Sequence, residues 1–412
     1  MSPDSVAQRV RAFVDASWRP ENSLAEWRSA LFDAGLATPT WPLEWGGLAA
    51  SASEGLKVIE ALREAGVPGA PETVAMTLAA PTILEHGPDA MRRAHLRVCA
   101  TGDEVWCQLF SEPGAGSDLA GLSARAELDG DEWVVTGQKV WNTGARQAQF
   151  GLLLARTDWD APKHRGITCF ALPMTQPGVE VRPLRQMNGH SSFNEVFLDG
   201  ARVAKDAVIG DVSAGWSVAL TTLAHERRLT RSRSMGQRRD PDSRVWREAI
   251  EESSAASEPH KWYPQRAGRV DLLIEHAQLA GRNHDPLVRQ RVVETIVSAR
   301  AARLGAERAV AARAAGRSPG AEGSLGKLAT SNIARSASRA HSLIARSAAL
   351  TSGPEATLGG VIAEILVSVP GQSIAGGTDE IQHNIIGEHV LGLPREPSPD
   401  KETAFRDLPR NV

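Results

Sequence analysis

Leu128-Asp129-Gly130-Asp131, just ahead of Trp133-Val134-Val135, reads as a tight turn feeding a strand. Asp-Gly supplies the backbone freedom of a hairpin, and the bulky and β-branched residues beyond it suit a pleated surface. Short apolar runs repeat on both sides: Val105 to Phe110, Leu152 to Ala155, Ile167 to Leu172, Val179 to Val181 and Val196 to Leu198. Turn residues separate them at close spacing, which predicts a small antiparallel barrel or sandwich over residues 104–211.

The flanks have a different period. In residues 1–103, Ser23 with Glu26 forms a capping-box pattern ahead of Trp27, Leu31 and Leu36, and Gly35 falls near that helix's end. Pro39 to Gly47 is a loop, helical patterns run from Ser53 to Ala65 and from Glu72 to Glu85, and His86-Gly87-Pro88 breaks the chain. Residues 212–395 are helical again. Asp285-Pro286 caps a long helix to about Gly316, and a second runs from about Ser324 to Leu350. The polar stretch 237–268 reads as an exposed loop or insertion that can line or cover a pocket. The tail, 396–412, is expected to lie along the surface. Helices, a small β domain, then helices make an α+β chain of unusual order.

Net charge is −3 over 412 residues, with arginines scattered rather than clustered, so no nucleic-acid surface is indicated. Cys99, Cys107 and Cys169 have no CxxC spacing, which argues against a disulfide framework or zinc site and for a reducing compartment. Residues 1–14 lack the apolar run of a signal peptide, and no stretch reads as long enough to span a bilayer. The expectation is a soluble cytoplasmic protein. Two phosphate-loop patterns fail. Gly114-Ala115-Gly116 has Leu119 where a dinucleotide fingerprint needs its third glycine. Gly326-Lys327 has Leu328 in place of Ser or Thr and no preceding strand.

Two segments carry the chemistry. Phe110-Ser111-Glu112-Pro113-Gly114-Ala115-Gly116-Ser117-Asp118 leaves a strand with small residues, hydroxyls and open backbone N–H groups, and alone it reads as a solvated turn. Gly137-Gln138-Lys139-Val140-Trp141-Asn142-Thr143-Gly144 sets a large flat side chain beside a hydroxyl at another strand end. One planar ligand, stacked on Trp141 and gripped by both loops, explains the two together.

These segments resemble the flavin and acyl-CoA signature of the acyl-CoA dehydrogenase family. Ile374-Ala375-Gly376-Gly377-Thr378-Asp379-Glu380-Ile381-Gln382, with Ile385-Ile386-Gly387-Glu388, resembles that family's C-terminal signature, and Pro42-Leu43-Glu44-Trp45-Gly46-Gly47 its N-terminal loop. The likeness spans nearly the whole chain. It implies an N-terminal α-helical domain, a middle β-barrel domain and a C-terminal four-helix bundle, with FAD bound between them. It further implies Trp141 and Thr143 along the flavin ring, Gln108 and Ser111 near its pyrimidine side, and Ser117 near the flavin and the thioester arm. Thr378 and Glu380 would contact the ADP end of FAD in the assembled oligomer.

The implied reaction is α,β-desaturation, in which a base removes the α-proton while flavin N5 takes hydride from the next carbon. In many members the base precedes the Gly-Thr of the C-terminal signature. Here that place is Gly376, which cannot act and is left beside the substrate. Other members carry the base on the first helix of the third block, and Trp216 to Arg227 resembles that helix, with Glu226 matching the base and Arg227 placed to orient acyl-CoA. Trp216, Ala219, Leu220 and Leu223 form an apolar stripe that Glu226 extends, and its i+4 neighbour, Thr230, offers no cation.

A second departure concerns assembly. The R-x-x-F-G and Q-x-x-G-G segments, through which a neighbouring subunit reaches FAD in many members, are missing; Leu287-Val288-Arg289-Gln290-Arg291 and the stretch before Gly371 stand there. An α2β2 heterotetramer therefore stands beside a homotetramer, as does a subunit that mainly completes a partner's FAD site. An oxygen-using flavoenzyme of the same fold is a third reading. Resemblance names an electron-transfer flavoprotein as the acceptor.

Overall fold

The computed structural model describes residues 3–228, 237–314, 320, 322–395, 397 and 402–409. The chain forms two compact units. One comprises Met1–Leu184, Ser191–Pro259 and Ser398–Val412; the other comprises Arg185–His190 and His260–Pro397.

The first unit opens with five helices: α1 (Pro3–Ser17), α2 (Leu24–Asp33), α3 (Ala52–Glu64), α4 (Ala80–His86) and α5 (Asp89–Thr101). The predicted capping box starts α2: Ser23 Oγ accepts the Glu26 amide at 3.2 Å, and the Glu26 carboxylate accepts the Ser23 amide at 2.7 Å. Ser51 and Glu54 repeat the device at α3. The helical pattern from Glu72 is not uniform, because Ala75–Ala79 winds as a wider π turn before α4.

Eight strands follow: β1 (Trp106–Leu109), β2 (Arg125–Asp129), β3 (Glu132–Thr143), β4 (Phe150–Arg156), β5 (Ile167–Pro173), β6 (Val179–Leu184), β7 (Phe193–Ala204) and β8 (Val208–Ile209). They pair in the order β6-β7-β3-β2-β4-β5-β8, with β1 on β4. The predicted hairpin joins β2 to β3, with Asp129 opposite Glu132 and Gly130 at φ +64°. The expectation of antiparallel pairing is corrected at β4, which takes β2 in parallel where Arg125 meets Arg156 and β1 along its length. Strand β1 is the longer case. It lies parallel to β4, with the β2–β3 hairpin serving as the long connection that parallel neighbours require. The apolar runs of β4 and β5 are continuous because both faces are covered. Leu153, Ala155, Phe170 and Leu172 join Trp133, Val135, Val196 and Leu198, whereas Leu152, Leu154, Ile167 and Cys169 join the helical core with Leu96 and Trp106. All three cysteines are free and buried.

Helices α6 (Gly215–Arg228) and α7 (Arg244–Ser257) complete this unit. The stretch read as an exposed polar loop is corrected here: much of it is α7, with Val245 and Trp246 buried. Its polar residues have distant partners. Arg28 is paired with Glu252 at 2.6 and 2.8 Å, the Leu24 amide donates to Glu248 at 2.7 Å, and Trp18 donates to Asp240 at 2.7 Å. The described tail lies along the surface as expected, with Phe405 alone buried, against the β domain.

The second unit is helical: α8 (Tyr263–Arg266), α9 (Leu273–Leu279), α10 (Pro286–Ala314), α11 (Glu322–Ala345), α12 (Val361–Ser368), α13 (Pro370–Ile374) and α14 (Asp379–His389). Asp285 caps α10 as predicted, accepting the Leu287 amide at 2.9 Å. Val288 and Val292 of α10 meet Ala337, Ala340 and Ile344 of α11, and small side chains on α11 let the helices approach closely. The expectation that no stretch is long and apolar enough for a bilayer is corrected at Thr357–His389, where a window reaches a mean hydropathy of 1.4. That stretch folds as α12, α13 and α14, interrupted at Pro370 and at the left-handed Gly376 and Gly377, so it is not one continuous rod.

Candidate active site

Two hydrogen bonds bring the signature segments of the first unit together. The Asn142 amide donates to the Gln108 carbonyl at 2.6 Å, and the Val140 N–H donates to the Ser111 carbonyl at 2.9 Å. Gln108, Ser111, Trp141 and Thr143 are thereby gathered at the ends of β1 and β3; Ser117 lies on the same loop, exposed.

Trp141 is the outlier of this region. Between Lys139 and Asn142 the β3–β7 register slips, a bulge that re-aims the strand. Trp141 takes φ +66°, a left-handed backbone for a bulky residue, and its side chain is 56 % exposed. Holding a tryptophan so costs about 1–3 kcal/mol, a strain that clusters at functional sites. Phe193 supports the ring edge-on at 5.7 Å between centroids. A Cβ added at Gly116 or Gly144 would meet open space. Beneath the platform, Asn142 Oδ1 is buried and without a hydrogen-bond partner. A flat exposed ring, an open approach and an orphan acceptor fit a planar, hydrogen-bonding ligand such as a flavin.

Buried charges hold this shape. Glu112 and Ala115 exchange two backbone hydrogen bonds, closing the loop. The Glu112 carboxylate turns inward and accepts from the Ser123 amide at 2.7 Å, the Ala124 amide at 2.9 Å and Lys139 Nζ at 2.8 Å. Lys139, wholly buried, also donates to the Phe110 carbonyl at 3.1 Å. Burial alone would raise the Glu112 carboxyl, but Lys139 and the two amides outweigh it and hold the group below the ordinary carboxylate range. Burial draws the Lys139 ammonium below its usual value, opposed in part by Glu112. Sequence reasoning quoted both residues and missed the pair. An acid and a lysine within two otherwise small-residue segments were the available signal.

Glu226 stands half-buried on α6. The predicted apolar stripe is corrected: Leu220 is 48 % exposed, and the buried line is Val218, Ala219 and Thr222. Thr222 Oγ1 meets Thr82 Oγ1 at 2.9 Å, which seats this face on α4. Glu226 is four residues beyond Thr222 and so lies on that same side. A hollow of about 310 Å³ flanks the α4–α6 seam, lined by Glu85 of α4 and by Leu220, Thr221, Ala224 and His225 of α6. The side chain of Arg227, and Thr230, lie outside the described residues.

In the second unit, Gly376 and Gly377 take φ of +68° and +80°, so a residue with a side chain would be strained at either place. Thr378 caps α14, its Oγ1 accepting the Ile381 amide at 3.2 Å, and Glu380 is exposed on the first turn. Asp379, which sequence reasoning did not single out, is buried between Lys327 Nζ at 2.9 Å and Arg335 Nη1 at 2.6 Å. Burial opposes its ionisation, but the two cations win and hold the carboxyl well below the usual range. The lysine set aside with the failed phosphate-loop pattern thus fastens the C-terminal signature.

The family models for the N-terminal, middle and C-terminal domains of acyl-CoA dehydrogenase match residues 3–103, 107–201 and 267–391. Acyl-CoA dehydrogenase IpdE1 of Mycobacterium tuberculosis is 34 % identical over 370 residues, covering 90 % of this chain and 88 % of that protein. Acyl-CoA dehydrogenase FadE34 of the same organism is 37 % identical over 371 residues and 89 % of this chain; the alignment spans 46 % of that longer protein. Among solved structures, the ChsE4–ChsE5 complex of Mycobacterium tuberculosis superposes with a TM-score of 0.65 at 28 % identity, covering 96 % of this chain and 98 % of its own.

Proposed function

The chain belongs to the acyl-CoA dehydrogenase family of FAD-dependent oxidoreductases, and from that premise we propose that it desaturates an acyl-CoA thioester with Glu226 as the base. The observation that carries the flavin part is Trp141, exposed on a left-handed backbone and supported edge-on by Phe193. In this reading Trp141 and Thr143 flank the ring, Gln108 and Ser111 meet its polar edge, and Ser117 serves both flavin and thioester arm. Thr378 and Glu380 belong to the ADP end. FAD, when bound, supplies the acceptor for the hydride leaving the β-carbon.

The remaining chemistry is the chain's own. Glu226, on the packed side of α6, takes the α-proton. The thioester oxygen gains charge as that proton leaves, and a backbone N–H donor answers it. Gly376, standing where many members carry the base, has no side chain to act, and Arg227 orients the thioester. An electron-transfer flavoprotein then reoxidises the enzyme, and the three free cysteines agree with a cytoplasmic setting. Anaerobic addition of acyl-CoA should bleach the flavin band of the wild-type enzyme. Glu226→Gln should keep its FAD but bleach at least about a hundredfold more slowly. Bleaching at the wild-type rate would remove the assignment.

A second reading concerns assembly. The second unit offers neither of the usual pyrophosphate-reaching segments. A different partner chain that completes the FAD site answers that point, and the ChsE4–ChsE5 structure is of two named proteins together. Purification of this chain alone, with flavin stoichiometry and mass measured together, tests it. One FAD per chain in a homo-oligomer would dismiss the partner.

A further inference from the structure

The short segment 404–408 approaches the β domain at one place, the loop between β4 and β5. Ala404 bridges Pro162, the Phe405 amide donates to the Ala161 carbonyl at 3.0 Å, and the Arg406 amide donates to the Trp159 carbonyl at 3.1 Å. These contacts deliver the Phe405 ring onto the face of the Arg156 guanidinium, 3.5 Å from Cζ to ring centroid. Arg156 is fully buried, and Phe405 is 5 % exposed, so water is kept from the cation's face.

The edge of that guanidinium points the other way, toward the signature loop. Nη2 donates to the Ala120 carbonyl at 2.7 Å, and Nε donates to the Leu122 carbonyl at 3.2 Å. Both Nη atoms donate to the Lys163 carbonyl at 3.1 Å, and Lys163 Nζ returns to the Asp118 carboxylate at 3.1 Å. The loop receiving these bonds is the tight turn Leu119–Gly121, which directly follows Ser117 and Asp118. Glu112 fastens the loop at its start and Arg156 fastens it at its end. A guanidinium has no acceptor and must spend its donors on carbonyls, so its position dictates theirs. Strand β4 fixes the Arg156 backbone, and the ring stacked above confines the guanidinium from one face.

We propose that residues 404–408 form a strap that, acting through Phe405 and Arg156, holds the loop from Ser117 to Leu122 in its ligand-binding shape. Phe405 and Arg156 are positioning residues, and the strap's role in binding rests on the reading of this loop as the flavin and thioester loop. Removing the ring exposes the guanidinium face to water, and its hold on Ala120 and Leu122 weakens. The local opening of residues 117–122 then becomes more frequent without any change at the hairpin between β2 and β3.

The test uses the full chain with Phe405→Leu, which keeps apolar bulk but no ring face, and Phe405→Tyr, which keeps both. Hydrogen exchange of the ligand-free chain should rise about tenfold in 117–122 for Phe405→Leu, stay unchanged in the β2–β3 hairpin, and return to wild type for Phe405→Tyr. Fluorescence titration with FAD should show weaker binding in Phe405→Leu, by the factor that the closed-loop fraction falls, and in the loaded enzyme KM for acyl-CoA should rise while kcat holds. Wild-type exchange in 117–122, or a rise spread evenly over the unit, overturns the strap. If 117–122 responds but FAD affinity and KM do not, the mechanical link stands and its role in binding is overturned; the flavin assignment of the loop is judged separately, by whether the wild-type chain binds FAD.

Discussion

The loop from Ser111 to Asp118 is fastened by a charge pair that water does not reach, whereas the loop from Gly376 to Thr378 is fastened by charges that water partly reaches. Lys139 and Glu112 have side chains 0 % and 6 % exposed; Asp379 is similarly buried, but Arg335 is 39 % exposed. Two charges withdrawn from water return little net stability, yet losing one partner strands the other at high cost. A cation in partial contact with water loses far less. The first loop is therefore locked to its strands, and the second can shift at modest cost. The locked loop is tied to the strand that carries a residue under backbone strain, Trp141; the looser one carries two glycines that meet no such strain.

Breaking the locked pair should give the largest effect. Lys139→Ala leaves Glu112 buried without its cation and should destabilise the first unit by about 3–5 kcal/mol in urea unfolding. The double change Glu112→Gln with Lys139→Met should recover most of that loss. A loss under 1 kcal/mol for the single change would mean that the pair is wet. Asp379→Ala should cost less, about 1.5–3 kcal/mol in the second unit, because Lys327 and Arg335 can turn to water. If it matches Lys139→Ala, the contrast between the loops is wrong.

Trp141→Gly sharpens the comparison with an opposite sign. Relief of the left-handed backbone should stabilise the ligand-free chain by about 1 kcal/mol while FAD affinity drops. A destabilised variant would show that packing on Phe193 outweighs the strain. A pH dependence is also expected in the second unit, where His276 and His341 meet Nδ1 to Nδ1 at 2.9 Å. Burial, then the neighbouring His341, lowers His276 to about 4 from an ordinary 6.5. The unfolded chain therefore binds the extra proton between those values. Stability should be full above pH 6.5, fall as the pH drops toward 4 and level off below. Thermal melts of His276→Gln should flatten that slope; an unchanged slope would place the titration elsewhere.

The parts legible in the sequence were those whose cause is local. Asp129-Gly130 announces its hairpin, Ser23 with Glu26 announces α2, and Asp285-Pro286 announces α10, because each turn or cap is made within a few residues. The misreadings have distant causes. Helix α7 looked like a solvated loop because it carries few apolar residues, and its hold on the unit comes from Glu252 reaching Arg28 across 224 positions. The Glu112–Lys139 pair spans 27 positions and the Lys327–Asp379 pair 52, so neither has a periodic signature. Leu220 fitted the apolar period of α6 and yet faces outward, because the face that packs is chosen by Thr222 on Thr82. Trp141 was legible as a flat residue in the right company, but its strain was not, since a bulge depends on the partner strand.

Proton exchange at the substrate's α-carbon bears most directly on the proposed chemistry. The FAD-loaded enzyme is held anaerobically in D2O with acyl-CoA and no electron acceptor, and the recovered thioester is weighed by mass spectrometry. Wild type should place deuterium at the α-carbon, and Glu226→Gln, with its FAD intact, should place none above the enzyme-free control. Deuterium uptake by Glu226→Gln at the wild-type rate would mean that another group removes the proton.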